Sequence, residues 1–311
     1  MIDPKLSSVD PAVALPRPAQ PSVVLGLIRA CRPKQWSKNV LLFFGLIFAL
    51  KLTDPVPDAR ALAGFLVFCA ASSGVYLIND LADLESDRRH PTKRRRPLAA
   101  GVITSTQAIG LAVILLIAAV AGSIALGETF AALTVLYIVL TIIYSFRLKH
   151  IVLIDVFVIA AGFVLRAVAG AVVVNVPISP WLYMCTVLAS LFLGLGKRRH
   201  ELMLLSDGAG SHRPILDEYS LPLLDQLIVI VTSAAIMAYS LYTFSAENLP
   251  RDHSMMLTIP FVLYGFFRYL YLVHQRSGGG SPEEALIGDP PLLISTALWL
   301  LTTVAILYLS R

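Results

Sequence analysis

The sequence predicts an all-α membrane protein, a polytopic helix bundle with about nine transmembrane helices and a cytoplasmic N-terminus. First, 57% of the residues are apolar and only 14% are charged, with a mean hydropathy of +0.75, which excludes an ordinary soluble domain. Second, apolar runs close to the roughly 20 residues needed to cross a bilayer core recur along the chain. Third, Lys and Arg concentrate in alternate connections between these runs.

The nine predicted spans lie near residues 38–53, 60–80, 106–126, 128–146, 150–174, 180–197, 226–246, 255–274 and 291–310. The first is short and follows the amphipathic segment 32–39. The remaining length leaves no room for a second domain, so we expect residues 23–311 to form a single transmembrane domain. Residues 1–22 are rich in proline and are expected to form a disordered tail.

Topology follows from the positions of the cations. Basic residues gather before the first span and in the connections at 88–96, 147–149, 197–213 and 276, whereas the intervening connections carry few. We therefore expect a multi-pass protein of the cytoplasmic (inner) cell membrane, with the N-terminus and every basic connection in the cytoplasm. Anionic partners at that membrane face account for the net charge of +5, so nucleic acid is not an expected partner.

The most informative motif is an acidic row at the end of the second span, made of Asn79, Asp80, Asp83 and Asp87. On one continuous helix these residues fall at about 0°, 100°, 40° and 80°, which is roughly a quarter of the circumference. Hard oxygen ligands select Mg²⁺, with Mn²⁺ as the alternative, and bound Mg²⁺ keeps positions open for substrate phosphates. Because carboxylates near a membrane boundary are costly without a partner, all four residues are predicted metal ligands.

Basic clusters lie on the same predicted side of the membrane as the acidic row. They follow it at Arg88–Arg96, and recur at Tyr144–His150 and Gly196–Glu201. Arg32 and two lysines precede the first span, and Arg166 lies deep in the fifth, where an ionisable residue is usually functional. The competing interpretations are ordinary positive-inside bias and, for Asp155 and Arg166, buried structural ion pairs. The candidate substrate-binding residues are Lys34, Lys38, Asn79, Lys93, Arg96, Tyr144, Arg147, Lys149, Arg166, Lys197, Arg198 and Glu201.

These motifs resemble the UbiA family of intramembrane prenyltransferases, all-α bundles that bind a diphosphate through Mg²⁺. The acidic row has the family pattern NDxxDxxxD, but the second aspartate-rich motif, expected after the sixth helix, is replaced by KRRHE at 197–201. Together with RPKQWSKN at 32–39, HPTKRRRPLA at 90–99, YSFRLK at 144–149 and GFVLRA at 162–167, this replacement resembles the decaprenyl-phosphate phosphoribosyltransferase branch.

The resemblance implies an enzyme that moves the 5-phosphoribosyl group from 5-phosphoribosyl 1-diphosphate to a polyprenyl phosphate and releases pyrophosphate. It places the reaction in cell-envelope glycolipid and arabinan precursor synthesis. Asp80, Asp83 and Asp87 would be catalytic, holding Mg²⁺ on the diphosphate in an active site that faces the cytoplasm. The single domain would thus be catalytic, with the two substrates and the membrane as partners; a homo-oligomer is compatible with the sequence.

Two other functions stay open at this point. An aromatic prenyltransferase of quinone or haem biosynthesis would use the same acidic row on a prenyl diphosphate. A secondary transporter would bind ions or substrate at Asp155 and Arg166 within the membrane. The concentration of charge at one membrane face argues against transport.

Overall fold

The protein is described here by a computed structural model covering residues 22–48, 51, 54–178, 180–206, 214–246, 249–275, 285–286 and 288–309. The predicted N-terminal tail, apart from Ser22, lies outside the described residues. Within these ranges all regular secondary structure is helical. The α-helices are α1 (Val23–Ala30), α2 (Phe44–Phe48), α3 (Pro55–Ala82), α4 (Leu84–Arg89), α5 (Ser105–Leu126), α6 (Glu128–Phe146), α7 (Ile154–Val173), α8 (Pro180–Ser206), α9 (Leu221–Ser245), α10 (Ile259–Gln275) and α11 (Pro290–Leu309).

Short 3-10 helices connect several of these elements, at Pro33–Phe43, Lys93–Arg95, Leu148–His150, Pro214–Glu218 and Ser254–Thr258. Three of them lie beside the charged motifs identified in the sequence. Their tighter winding places long basic side chains close to the ends of the long helices.

Seven described segments are long and apolar enough to cross a membrane, namely Pro55–Ala82, Ser105–Leu126, Glu128–Phe146, Ile154–Val173, Leu221–Ser245, Ser254–Gln275 and Pro290–Tyr308. The sixth predicted span lies within α8, which has 27 residues. The first predicted span is not one long helix. Its described part consists of the 3-10 helix Pro33–Phe43 and the five-residue α2, and positions 49–50 and 52–53 lie outside the described residues. The all-α membrane bundle is confirmed, whereas the count of nine and the side of the N-terminus stay predictions.

Helix α7 joins two apolar cores. Its C-terminal residues Ala169 and Val173 pack with side chains from α2, α3, α5 and α6. Its N-terminal residues Val156 and Ala160 pack instead with side chains from α8 to α11. Since the two ends of α7 serve different halves of the bundle, a polar contact at its first turn can connect residues from both halves.

The first connection packs directly on α7 through a glycine. A Cβ atom at Gly170 would lie 2.2 Å from the carbonyl oxygen of Leu42. Only glycine therefore permits this approach of the Pro33–Phe43 helix to α7. The contact also fixes the segment that leads back to Arg32, at the charged end of the bundle.

Candidate metal and phosphate site

The acidic row is broken by a turn at its third member. Helix α3 ends at Ala82, Asp83 has φ −96° and ψ 6°, and α4 begins at Leu84. The expectation that the four residues lie on one continuous helix is therefore wrong. The short Asp side chain competes with helical backbone bonding and favours helix ends. As a result, Asp80 and Asp87 lie together while Asp83 is turned towards another element.

Arg96 joins the two carboxylates at the ends of the row. Its Nη1 atom lies 3.0 Å from Oδ1 of Asp80 and 2.5 Å from Oδ2 of Asp87. Arg32 also donates to Oδ1 of Asp80. Asp80 and Asp87 are 3% and 1% exposed, so their charge depends on these guanidinium groups rather than on water. The neighbouring carboxylates avoid mutual repulsion because cations lie between them.

Asp83 contacts the cluster Tyr144–His150, which is called the second cluster below. The ammonium group of Lys149 lies 2.6 Å from Oδ1 of Asp83. On the other side, the amide nitrogen of Asn79 donates to Oδ2 of Asp83 over 3.3 Å. The short 3-10 helix after α6 buries Lys149 while its neighbour Arg147 is exposed. The structure therefore brings Lys149 into the centre and leaves Arg147 at the surface.

The cluster Gly196–Glu201, called the third cluster below, contacts the second cluster through Arg198. The guanidinium group of Arg198 donates to Oδ2 of Asp155 over 2.5 Å and to Glu201 one turn later on α8. Its Nη2 atom lies 3.4 Å from the hydroxyl oxygen of Tyr144. Arg198 and Asp155 are 1% and 0% exposed. Arg198 is thus held from two sides, and Glu201, with 26% of its side chain exposed, keeps contact with the surroundings, as the partly buried Tyr144 does.

Tyr219 completes this buried network from the segment before α9. Its hydroxyl group donates to Oδ1 of Asp155 over 2.7 Å and accepts from the backbone N–H of Leu153 over 2.7 Å. Burial, followed by the hydrogen bond to Asp155, raises the pKa of Tyr219, so the phenol stays protonated and remains a donor. Leu153 has φ +65°, a conformation that is rare for a bulky residue and that this hydrogen bond helps to hold.

The acidic row fits a divalent cation, although its carboxylates are at present paired with arginine and lysine. Among the described residues, no three Asp, Glu, His or Cys side chains are grouped closely enough for one ion. Oδ1 of Asp87 is nevertheless buried without a hydrogen-bond partner, and such an atom is rare unless it has a function. Asp80, Asp83 and the amide oxygen of Asn79 add oxygen donors of the kind Mg²⁺ prefers, and these would have to exchange their present partners for the ion and draw together around it.

Arg166 lies in the bundle core, and the contacts of its side chain are those of a structural residue. Its three guanidinium nitrogens donate to Oδ1 of Asn39, the carbonyl of Gly162 and the hydroxyl of Tyr137, each over 2.7 to 2.8 Å. The side chain is 4% exposed. Its donors are therefore used within the protein, and this geometry does not favour the predicted role in binding substrate.

The other candidates differ in exposure. Lys34 is exposed, whereas Lys38, Lys93 and Lys197 are partly buried and each takes part in polar or electrostatic contacts within the protein.

Sequence reasoning did not assign Arg32, Asp155 or Tyr219 to the site. Arg32 was grouped with the interfacial cations. Its side chain points towards the acidic row because its backbone has a φ of +53°, a conformation that the sequence pattern does not predict. Asp155 had a signal, because it is a lone acid in an apolar helix. Tyr219 had none.

Three comparisons relate the chain to known proteins. The sequence profile of the UbiA prenyltransferase family matches residues 40–282. The decaprenyl-phosphate phosphoribosyltransferase of Mycolicibacterium smegmatis is 34% identical over 300 residues, which cover 93% of this chain and 94% of that protein. The 4-hydroxybenzoate octaprenyltransferase of Shewanella amazonensis is 36% identical, but over 110 residues that cover 35% of this chain and 38% of that one. A UbiA homologue from Archaeoglobus fulgidus, solved with GPP and Mg²⁺, has a TM-score of 0.70 at 19% identity, covering 91% of this chain and 99% of that one.

Proposed function

Since this chain belongs to the UbiA prenyltransferase family, we propose that it transfers the 5-phosphoribosyl group of 5-phosphoribosyl 1-diphosphate to a polyprenyl phosphate. The observation that carries the proposal is the composition of the site. The acidic row is joined through Lys149 to the second cluster, and Tyr144 of that cluster contacts Arg198. Arg198 belongs to the basic segment that stands where the family has its second acidic motif. A donor with two separate phosphate groups suits such a site better than a prenyl diphosphate does.

The acidic row and its cations would hold the diphosphate of the donor. Asn79, Asp80, Asp83 and Asp87 would bind Mg²⁺, which supplies positive charge to the leaving pyrophosphate. Arg96 is already within bonding distance of Asp80 and Asp87, and it would bind phosphate oxygens when they arrive. Arg32 and Lys149 would do the same from the other elements that meet the row.

The chemical step replaces one C–O bond at C1 of the ribose by another. The C1–O bond to the diphosphate breaks, its electron pair leaves with pyrophosphate, and an oxygen of the lipid phosphate forms the new bond. Positive charge develops on the ring as the leaving group departs, so fixed negative charge close to C1 lowers the barrier. The lipid phosphate is already an anion near neutral pH, and the step therefore needs no general base.

The third cluster would bind the ribose and its 5-phosphate. The buried ion pair of Arg198 with Asp155 joins α8 to the first turn of α7, and Arg198 also orients Glu201. The partly exposed carboxylate of Glu201 is suited to accept hydrogen bonds from ribose hydroxyls. Lys197, the residue before Arg198, would neutralise the 5-phosphate. Lys34, Lys38 and Lys93 are the remaining cations proposed for substrate phosphates.

The setting proposed for this reaction is the cytoplasmic membrane, with the active site facing the cytoplasm and residues 23–311 forming one catalytic domain. The clean alternation of basic connections supports this orientation. The product would feed cell-envelope glycolipid synthesis. The aromatic prenyltransferase alternative has weaker support, because similarity to such an enzyme covers 35% of this chain while similarity to the phosphoribosyltransferase covers 93%.

A transfer assay tests the proposal directly. Purified protein in detergent would receive phosphoribosyl diphosphate labelled in the ribose, a polyprenyl phosphate, and either Mg²⁺ or a chelator. We expect label in the organic phase only when the metal is present. The variant Asp83→Asn should lower the rate by about 100-fold or more, a loss of the size seen when one group that stabilises transition-state charge is removed.

Glu85→Gln is the matched control for that variant. Glu85 is two residues away, is exposed, and pairs with Arg88 on the surface; its loss should leave transfer near the wild-type rate. The proposal would be wrong if label never entered the lipid while the same protein consumed a prenyl diphosphate with an aromatic acid.

A further inference from the structure

A groove of about 610 Å³ lies between α1 and the turn that follows α4. Arg29 of α1 lines one side, and Arg94 and Arg95 of the 3-10 helix Lys93–Arg95 line the other. We call this the arginine groove. The described residues that line it include no member of the acidic row, so it is a feature separate from the candidate active site.

The segments 29–32 and 94–96 supply arginines to both the acidic row and the arginine groove. Arg32 and Arg96 turn inward and both pair with Asp80. Arg29, Arg94 and Arg95 are exposed, and no ion pair joins any of them to another described residue. Three guanidinium groups around one groove repel each other unless an anion lies between them. The groove therefore has the charge of a phosphate site that the described part of the chain does not neutralise.

The floor of the groove is apolar. It is formed by Pro97, Ala100 and Val102, and α1 approaches Val102 so closely that a Cβ atom at Gly26 would lie 2.8 Å from its Cγ1 atom. A soluble phosphate gains nothing from an apolar floor. An amphiphile, with a phosphate head and an apolar stem, uses both the cationic rim and the floor.

The position of α1 sets the depth of the groove relative to the membrane. Gly26 and Ala30 are buried against the bundle, whereas Val24 and Ile28, one turn apart, are 66% and 53% exposed. A short amphipathic helix with an exposed apolar face and basic residues lies in the membrane interface. Arg29, next to Ile28, is placed at headgroup level, where long cationic side chains commonly extend towards lipid phosphates.

We propose that the arginine groove binds the headgroup phosphate of an anionic membrane phospholipid. The phosphate lies between Arg29 and the Arg94–Arg95 pair, and the glycerol and upper acyl chain lie on the apolar floor. The lipid thereby connects α1 to the turn that carries Arg96 into the active site. This site requires no part of the transfer reaction, so it can be tested whether or not the proposed activity is found.

Native mass spectrometry of the full-length protein measures the bound lipid directly. Phosphatidylglycerol and phosphatidylcholine with matched acyl chains would be offered together. The wild-type protein should retain phosphatidylglycerol preferentially. Arg94→Gln/Arg95→Gln should reduce that preference by about tenfold or more, since each arginine near the surface contributes roughly fivefold. Arg29→Gln, which changes the opposite wall, should act in the same direction.

Arg88→Gln/Arg89→Gln is the matched control, because it removes the same charge from the same connection without touching the groove. It should keep the wild-type preference. Equal losses in both double variants would show diffuse attraction only, and an unchanged preference in Arg94→Gln/Arg95→Gln would also overturn the proposal. Displacement of phosphatidylglycerol by equimolar polyprenyl phosphate would assign the groove to the acceptor lipid, and displacement by millimolar inorganic phosphate would assign it to soluble anions. Either result would overturn the assignment of the groove to a phospholipid.

Discussion

The ammonium group of Lys149 lies 2.6 Å from the carboxylate of Asp83, although the two residues are 66 positions apart in the chain. The contact joins the end of α6 to the turn between α3 and α4. Both partners are largely withdrawn from water, with 9% and 23% of their side chains exposed. Lys149 therefore holds the position of the acidic residue of the row that is turned away from Asp80 and Asp87.

This contact predicts that Lys149→Gln slows phosphoribosyl transfer by about 10- to 100-fold, the range typical of residues that orient a metal ligand. Lys149→Arg should recover part of the rate because it restores the charge. Arg89→Gln, which removes an exposed cation, should transfer like the wild type in the same labelled-lipid assay. A wild-type rate for Lys149→Gln would remove Lys149 from the site.

The buried pair of Arg198 and Asp155 should dominate the stability of the charged end of the bundle. Asp155→Asn leaves the guanidinium group without one of its two carboxylates in an environment without water, at a cost of about 3–5 kcal/mol. Thermal unfolding in detergent measures this loss. Glu85→Gln breaks the exposed pair with Arg88, for which at most about 1 kcal/mol is expected. Equal melting temperatures for the two variants would contradict the assigned importance of the buried pair.

Arg166 should prove to be a stability residue. Arg166→Gln leaves Asn39, Tyr137 and the carbonyl of Gly162 without their present donors, and each unsatisfied buried group costs about 1–3 kcal/mol. We expect a lower melting temperature, with the KM for phosphoribosyl diphosphate unchanged in the protein that stays folded. Arg166→Lys should rescue little, because an ammonium group cannot reproduce the three directions of a guanidinium group. A raised KM at unchanged melting temperature would instead restore the predicted role in substrate binding.

The sequence predicts features that depend on neighbouring residues, and it misses features that depend on contacts between residues far apart in the chain. The all-α class and the acidic row depend on local composition, since a group of carboxylates such as Asp80, Asp83 and Asp87 stands out at the end of an apolar run. The side chain of Asp83 has its partner, Lys149, 66 residues away, whereas helical periodicity alone placed Asp83 on one continuous helix with Asp80 and Asp87. Likewise, the pairing of Asp155 with Arg198 spans 43 residues, so the sequence singled out Asp155 and Arg166 as ionisable residues in an apolar span but did not indicate their separate partners.

The loop that carries the basic cluster contains a histidine, His90, whose pKa is lowered by its surroundings. Burial, and then the charge of Lys93, lower the pKa of His90 below its ordinary value of 6.5. The folded protein therefore binds this proton less readily than the unfolded chain does, so stability is lost as the pH falls through 6.5 and the full cost is reached below the folded pKa. Histidine ¹³C NMR, assigned with His90→Gln, should give a midpoint below 6.5 that rises in Lys93→Gln. A midpoint at or above 6.5 would contradict the assigned environment.

The close approach at Gly170 links packing to the active site. A methyl group there would meet the carbonyl oxygen of Leu42 at 2.2 Å and its carbonyl carbon at 2.7 Å. Because both atoms belong to the backbone, the Pro33–Phe43 helix must move, and Arg32 immediately before it must shift relative to Asp80. Gly170→Ala should therefore cost about 1–3 kcal/mol, as overpacking usually does, and should also lower the transfer rate of the folded protein. Gly110→Ala is the control, since no atom outside its own stretch of helix lies within 4 Å of the added Cβ; it should transfer like the wild type and melt no lower, because Ala is favoured over Gly inside a helix. If Gly170→Ala melted and transferred like the wild type, this helix would not position Arg32 at the acidic row.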